Sequence, residues 1–219
     1  VTKEKELQNR IILEASQRFF NEGFSAVTMD DMASELGMSK KTLYRVFPSK
    51  DELLRAVMHR FVSEVEVATD RILEDPGSSC LTKLSRLLRF IAARMLRIRQ
   101  PFLLDLQRSA HSVWTELETW RRERVLSKFA RVIEQGMAEG VFRSDLNQEL
   151  LLRMYLLLIQ GIMNPEVLSQ VPFTARQAFE QISKVFFEGV LTDRARAEHA
   201  LDLSARESSE DDQSVWRLS

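Results

Sequence analysis

Ser39, Lys40, Lys41 and Thr42 place two hydroxyls and two ammonium groups on four consecutive positions, and Tyr44 and Arg45 follow at once. Ammonium, guanidinium and hydroxyl groups donate hydrogen bonds, and the cations attract phosphate. Such a set suits gripping a polyanion and reading polar edges, not breaking a covalent bond. Lys50 adds another cation and Thr28 another hydroxyl, each where a helix is expected to begin and to present free backbone amides. Other chemistries have little to build on. His59, His111 and His199 are scattered and Cys80 is the single cysteine, so no metal-ligand spacing occurs, and neither a metal nor another cofactor is expected. Asp30 and Asp31 are paired carboxylates, but they fall in the first turn of a capped helix, where negative charge meets the helix dipole favourably. With no Ser/His/Asp order, glycine-rich phosphate loop or nucleophile elbow, the chain reads as a non-enzyme.

The polar cluster needs elements to hold it. From Lys5 to Glu22 the apolar residues Leu7, Ile11, Ala15 and Phe19 fall four apart, which predicts a helix laid on a core and ended by Gly23. Three helix starts follow in close order, marked by Thr28 with Asp31, Ser39 with Thr42, and Ser49 with Glu52. The first and third have the form of capping boxes. Apolar or ring pairs Val27/Met32, Met38/Leu43 and Pro48/Leu53 straddle the caps like hydrophobic staples. Gly37 can take the left-handed backbone that ends one helix just before Ser39 starts the next, giving a tight corner. Phe47 before Pro48 stops the second helix, and Ser49 begins a long one to about Leu73. The polar cluster therefore sits at the N-terminal end of the second helix of a helix-turn-helix, with Leu43, Val46 and Phe47 turned inward. That arrangement presents a helix to the major groove of DNA.

The rest of the chain is expected to be helical as well. With seven glycines and five prolines among 219 residues and 44% hydrophobic content, long helices and a sizeable core are favoured over strands. The predicted class is all-α: a three-helix helix-turn-helix module over residues 1–50, a larger helical domain over 51–193 and a polar, flexible tail over 194–219. Asp75-Pro76-Gly77-Ser78-Ser79 is the clearest loop, Asp145 is the expected cap of the leucine-rich helix, and Asn164-Pro165 ends that helix. Net charge is −1, so a nucleic-acid surface must be a local patch. The run from Leu150 to Met163 contains Arg153 and Gln160 and falls short of the roughly 20 apolar residues of a membrane span; no membrane partner is expected. A lone cysteine and a charged beginning suit a reducing cytoplasm.

Thr28-Met29-Asp30-Asp31-Met32-Ala33, followed by Leu36-Gly37-Met38-Ser39-Lys40-Lys41-Thr42-Leu43-Tyr44-Arg45-Val46-Phe47-Pro48-Ser49-Lys50-Asp51-Glu52-Leu53, resembles the DNA-binding module of TetR-type repressors. Lys41 departs from the usual form, which often has glycine there, and supplies an extra cation. The resemblance implies a cytoplasmic regulator, most often a repressor, that binds palindromic operator DNA as a homodimer and is released by a small-molecule effector. On this reading Thr28, Ser39, Lys40, Lys41, Thr42, Tyr44, Arg45 and Lys50 contact DNA. The resemblance further implies an effector-binding and dimerising second domain. Phe90, Arg94, Met95, Phe102, Leu106, His111, Trp114, Trp120, Met154 and Met163 are the candidates to line its cavity, with Arg94 and His111 as polar groups to orient an effector. Leu157, Gly161, Phe179, Ile182, Phe186 and Gly189, on the two late apolar helices, are the candidates for the dimer interface. A helical enzyme that does not bind DNA and a helical adaptor for protein partners are the alternatives.

Overall fold

Capping and turn chemistry set the first elements. In a computed structural model that describes residues 2–95, 98–162 and 164–198, α1 (Thr2–Glu22) is followed by α2 (Met29–Glu35), α3 (Lys40–Val46) and α4 (Lys50–Leu73). Then come α5 (Cys80–Met95), α6 (Gln100–Ser109), α7 (His111–Ala138), α8 (Gln148–Ile162), α9 (Pro165–Ser169), α10 (Ala175–Val190) and α11 (Asp193–Glu198). The class is all-α, and an isolated bridge between Phe142 and Leu191 is the only extended pairing among the described residues. None of the described helices is long and apolar enough to cross a membrane.

Several boundaries follow named residues. The capping box at Thr28 is complete, whereas Ser49 accepts from the Glu52 amide without the reciprocal bond. Thr174 with Gln177 makes a further capping box that the sequence reading passed over. Asp145 does not cap α8: its carboxylate pairs with Arg143, and Asn147 accepts from the Leu150 amide at 2.9 Å instead. The carboxylate had a guanidinium two residues away, and a neutral amide served the helix end.

Two hydrophobic clusters divide the molecule. One, the head, joins Ile11, Phe19, Met32, Leu43, Leu53 and Val57 to Phe102, Leu106, Ala110 and Val113. The other, the body, gathers Leu84, Leu88, Phe129, Tyr155, Phe179 and Phe187 from α5, α7, α8 and α10. The head's core therefore runs past residue 50, into α4, and recruits α6 and the start of α7. In the body, α7 approaches the turn after it closely at Gly136, where a Cβ would lie 2.3 Å from the Phe142 ring, so only glycine lets that ring reach the core. The predicted tail starts too early: residues 193–198 form α11, with Ala195 buried and the Arg196 guanidinium donating to the Glu188 and Leu191 carbonyls. Residues 199–219 lie outside the described residues.

Candidate nucleic-acid interface

The corner between α2 and α3 is closed by backbone bonds. Gly37, at φ +63°, donates to the Ser34 carbonyl at 3.0 Å, and Met38 donates to the Ala33 carbonyl at 2.9 Å, the paired bonds of a Schellman ending. No L residue takes that φ without strain, which is why glycine stands there. Arg10 of α1 donates to the Leu36 carbonyl at 2.8 Å, and Arg18 ties α1 to α2 through Glu35 at 2.9 Å. These two arginines, unmarked by any motif, hold the corner from outside.

On this frame α3 has a fully buried Leu43, a buried Phe47 just beyond it and a half-buried Val46, as the inward face requires. Lys40, Lys41, Tyr44 and Arg45 are exposed on the other side. Ser39 and Thr42 are spoken for locally: the Ser39 hydroxyl accepts from the Thr42 amide at 3.1 Å and lies 2.9 Å from the Thr42 hydroxyl. Lys40 is paired with Asp30 of α2. An exposed pair of this kind is worth about 0–1 kcal/mol, so a phosphate can replace the carboxylate at little cost. Thr28 lies exposed at the start of α2, its hydroxyl donating to Asp31 at 2.6 Å, which together with the Thr28 amide holds the Asp31 carboxyl below its ordinary range. Lys50, at the start of α4, is half-buried, with its ammonium 4.3 Å from the centre of the Phe24 ring. Burial lowers its pKa, opposed by the charges of Asp105 and Asp51.

The second-domain candidates are not brought together. Phe102 and Leu106 are fully buried in the head's core, and Trp114 packs against that same cluster. His111 and Met154 are exposed. The side chain of Met95 and the whole of Met163 lie outside the described residues. An open groove of about 280 Å³ lies where the end of α4 meets α7, lined by Leu73, Arg131, Val132, Glu134, Gln135 and Ala138, none of them among the candidates. Along α4 runs a polar seam: Phe90 and Arg94 of α5 lie together beside Glu64, whereas Trp120 of α7 meets α4 at Glu66, two residues on and on another side of the helix. Arg94 is buried, 3.1 Å from Glu64, with its guanidinium 5.5 Å from the rings of Phe61 and Phe90. The Trp120 indole donates to Glu66 at 2.9 Å, and Lys128 bonds to Thr69 and Asp70 further along.

The late helices need a similar correction. Phe179 and Phe186 are buried in the body's core, because that face of α10 packs on α5 and α8. The outward stripe is Leu150, Met154, Leu157, Leu158 and Gly161 on α8 with Val185 and Gly189 on α10, and Ile182 lies half-buried at its margin. The apolar period of α10 has two faces, and the aromatic one went inward.

Residues 11–57 match the family described as bacterial regulatory proteins, tetR family. The chain is 28% identical over 187 residues to YvaF of Bacillus subtilis, an uncharacterised HTH-type transcriptional regulator, spanning 85% of this chain and 97% of that one. It is 28% identical over 145 residues to the HTH-type transcriptional repressor KstR2 of Mycolicibacterium smegmatis, covering 64% of this chain and 69% of that one. Among solved structures, a transcriptional regulator from Saccharomonospora viridis in complex with choline shares the fold, with a TM-score of 0.62 at 22% identity over 86% of this chain and 99% of that one.

Proposed function

The chain belongs to the tetR family of bacterial regulatory proteins and is a DNA-binding transcriptional regulator; from that premise we propose that it is a homodimeric repressor that a small molecule releases from a palindromic operator. The observation that carries the DNA-reading face is the seating of α3: Leu43 is wholly buried while Lys41, Tyr44 and Arg45 stand in solvent on the opposite side. A helix held this way presents donors to base edges and phosphates without moving its backbone. Lys41, Tyr44 and Arg45 are the outward donors, Lys40 exchanges Asp30 for phosphate, and Lys50 and Thr28 contact the backbone at the starts of α4 and α2. Ser39 and Thr42 chiefly shape the helix end.

The outward stripe of α8 and α10 supports two-fold pairing through Leu150, Met154, Leu157, Leu158 and Val185, with Gly161 and Gly189 allowing close approach. A repressor role is supported by the name of the KstR2 relative, and a small-molecule effector by the choline held by the Saccharomonospora viridis regulator. The cluster of Phe61, Glu64, Phe90 and Arg94 on the seam is where the effector acts. A ligand that takes either charge of the Glu64–Arg94 pair alters a contact that holds α4 to α5, and α4 is the helix that carries Lys50 at its start. A coupling of about 1–3 kcal/mol, typical of such linkage, shifts operator occupancy by several-fold to about a hundredfold.

Selection of bound sequences from a random duplex pool tests the reading. The expected result is an inverted repeat with half-sites about 34–36 Å apart, bound with a steep salt dependence. Lys41→Ala and Tyr44→Phe are expected to weaken that binding in a folded dimer. An unenriched pool, or binding indifferent to salt, defeats the proposal.

A further inference from the structure

One carboxylate outside the DNA-binding module reaches into it. Asp105 of α6 accepts the backbone amide of Ser25 at 2.8 Å, in the turn between α1 and α2. Two residues earlier Gly23, at φ +99°, comes so close that a Cβ there would lie 2.8 Å from the same carboxylate oxygen. Between Gly23 and Ser25 stands Phe24, buried, and it is the Phe24 ring that seats the Lys50 ammonium. The end of α1 that leads into the turn is held as well: the amide of Arg99, the residue before α6, donates to the Phe20 carbonyl at 3.1 Å, and Phe102 of α6 packs edge-on to Phe20 at 5.0 Å.

We propose that Asp105 is a positioning residue for DNA binding: by accepting the Ser25 amide it fixes the Gly23–Ser25 turn, and thereby the Phe24 platform from which Lys50 reaches a phosphate. This rests on the reading that Lys50 contacts the DNA backbone. The physical argument is one of preorganisation. A lysine ammonium on a flexible four-carbon stem loses rotamer freedom when it is fixed on a phosphate, and a ring already holding it reduces that loss. The ring can do so only if its own backbone is held, and within the turn Asp105 supplies the side-chain bond to a backbone amide, at 2.8 Å, beside the longer 3.4 Å contact between the Ser25 and Ser109 hydroxyls. A carboxylate is an unexpected neighbour for a DNA-facing cation, since its charge partly cancels that cation's field; its use here is the hydrogen bond. The two contributions are separable, because asparagine keeps an acceptor oxygen and drops the charge, whereas alanine removes both.

The test measures affinity for the selected operator against salt concentration for the full-length dimer. Each phosphate contact contributes about 0.9 to the slope of log K against log salt. Lys50→Met is expected to lower the slope by about that amount, and an unchanged slope in that variant overturns the phosphate reading on which the inference rests. Asp105→Ala is expected to lower the slope comparably and to weaken binding about three- to tenfold. Asp105→Asn should restore the slope to that of the unaltered protein. In Lys50→Met/Asp105→Ala the loss should not exceed that of Lys50→Met alone, a non-additivity that general loosening of the head does not produce. Should Asp105→Ala leave the slope intact while Lys50→Met lowers it, the positioning role is overturned. Equal loss in Asp105→Asn and Asp105→Ala, or additive losses in the double variant, overturns it as well.

Discussion

The head and the seam along α4 are built from opposite materials. In the head, Ile11, Ala15, Phe19, Val27, Met32, Leu43, Leu53 and Leu54 are completely buried, and its helices start on side-chain caps at Thr28, Ser39 and Ser49. Along α4 below the head, a run of ionic and polar contacts joins it to α5 and α7, Glu64 with Arg94, Glu66 with Trp120 and Arg124, and Asp70 with Lys128, before Ile72 and Leu73 enter the body's apolar cluster. Close-packed apolar surfaces tolerate few alternative arrangements, whereas ion pairs exchange partners with modest changes in energy. The difference teaches where the molecule is stiff and where it can yield. The exposed donors of α3 sit on the stiff part, and α4, which leads away from them, runs along the yielding one.

The largest effects should come from the apolar side of this contrast, and they ask whether α6 belongs to the head. Phe102 is fully buried against Phe20 although the chain reaches it only after α5. Phe102→Ala is expected to cost about 3–5 kcal/mol by denaturant unfolding at fixed protein concentration, as for other buried phenylalanines. Phe19→Ala, inside the module by sequence, should cost as much. A loss below about 1 kcal/mol for Phe102 alone would break the division into head and body drawn from packing.

Intermediate effects should come from the seam, and they should follow charge more than volume. The Arg94 side chain is 7% exposed and that of Glu64 is 39% exposed, with Glu64 also paired to Arg60 at 2.9 Å. Glu64→Leu leaves a buried cation with a diminished counter-charge, expected to cost about 1–2 kcal/mol once partial exposure is allowed for. Arg94→Met leaves a half-exposed carboxylate that still has Arg60, and its cost should stay under about 1 kcal/mol. Thermal or denaturant unfolding of the two variants checks the asymmetry. A reversed order would mean that the seam is held by the bulk of the arginine over the two rings.

The same contrast explains what was legible in the sequence. In the head the signals are local: Gly37 and the caps at Thr28, Ser39 and Ser49 each act within about four residues, and their effects stand where the spacing placed them. The outward group of Lys41, Tyr44 and Arg45 was readable because Leu43 fixes the opposite side. Arg10, Arg18 and Asp105 were not readable, since the Asp105 bond spans 80 residues and no spacing rule reaches that far. In the body, periodicity showed that α10 had an apolar face without saying which of two faces it was. Phe179, Phe186 and Gly189 are read as one outward stripe from the period alone, but the two rings are buried while Gly189 is exposed beside Val185, which the period did not single out. Two of the effector candidates, Phe102 and Leu106, lie elsewhere for a related reason. Aromatic and methionine residues mark apolar surroundings in general, and Phe102 and Leu106 found theirs in the head.

The smallest effect probes the head's polar margin through pH. The Asp31 carboxyl is held below its ordinary range first by the Thr28 hydroxyl and then by the Thr28 amide. A carboxyl whose folded pKa is depressed contributes stability that is complete above its unfolded value, about 3.9, and is lost as pH falls through the folded value. Thr28→Val removes the hydroxyl and leaves the backbone amide. The stability difference between the unaltered protein and Thr28→Val should therefore be larger at neutral pH than in acid below the depressed folded pKa, where Asp31 takes up a proton in both. What persists in acid is the hydroxyl's own bond to the Asp31 amide at 3.1 Å, which does not titrate. Denaturant midpoints of the two proteins at neutral and acid pH give the comparison. A difference that stays constant with pH would assign the whole contribution of Thr28 to its neutral cap, and the head's margin would then owe nothing to ionisation at this position.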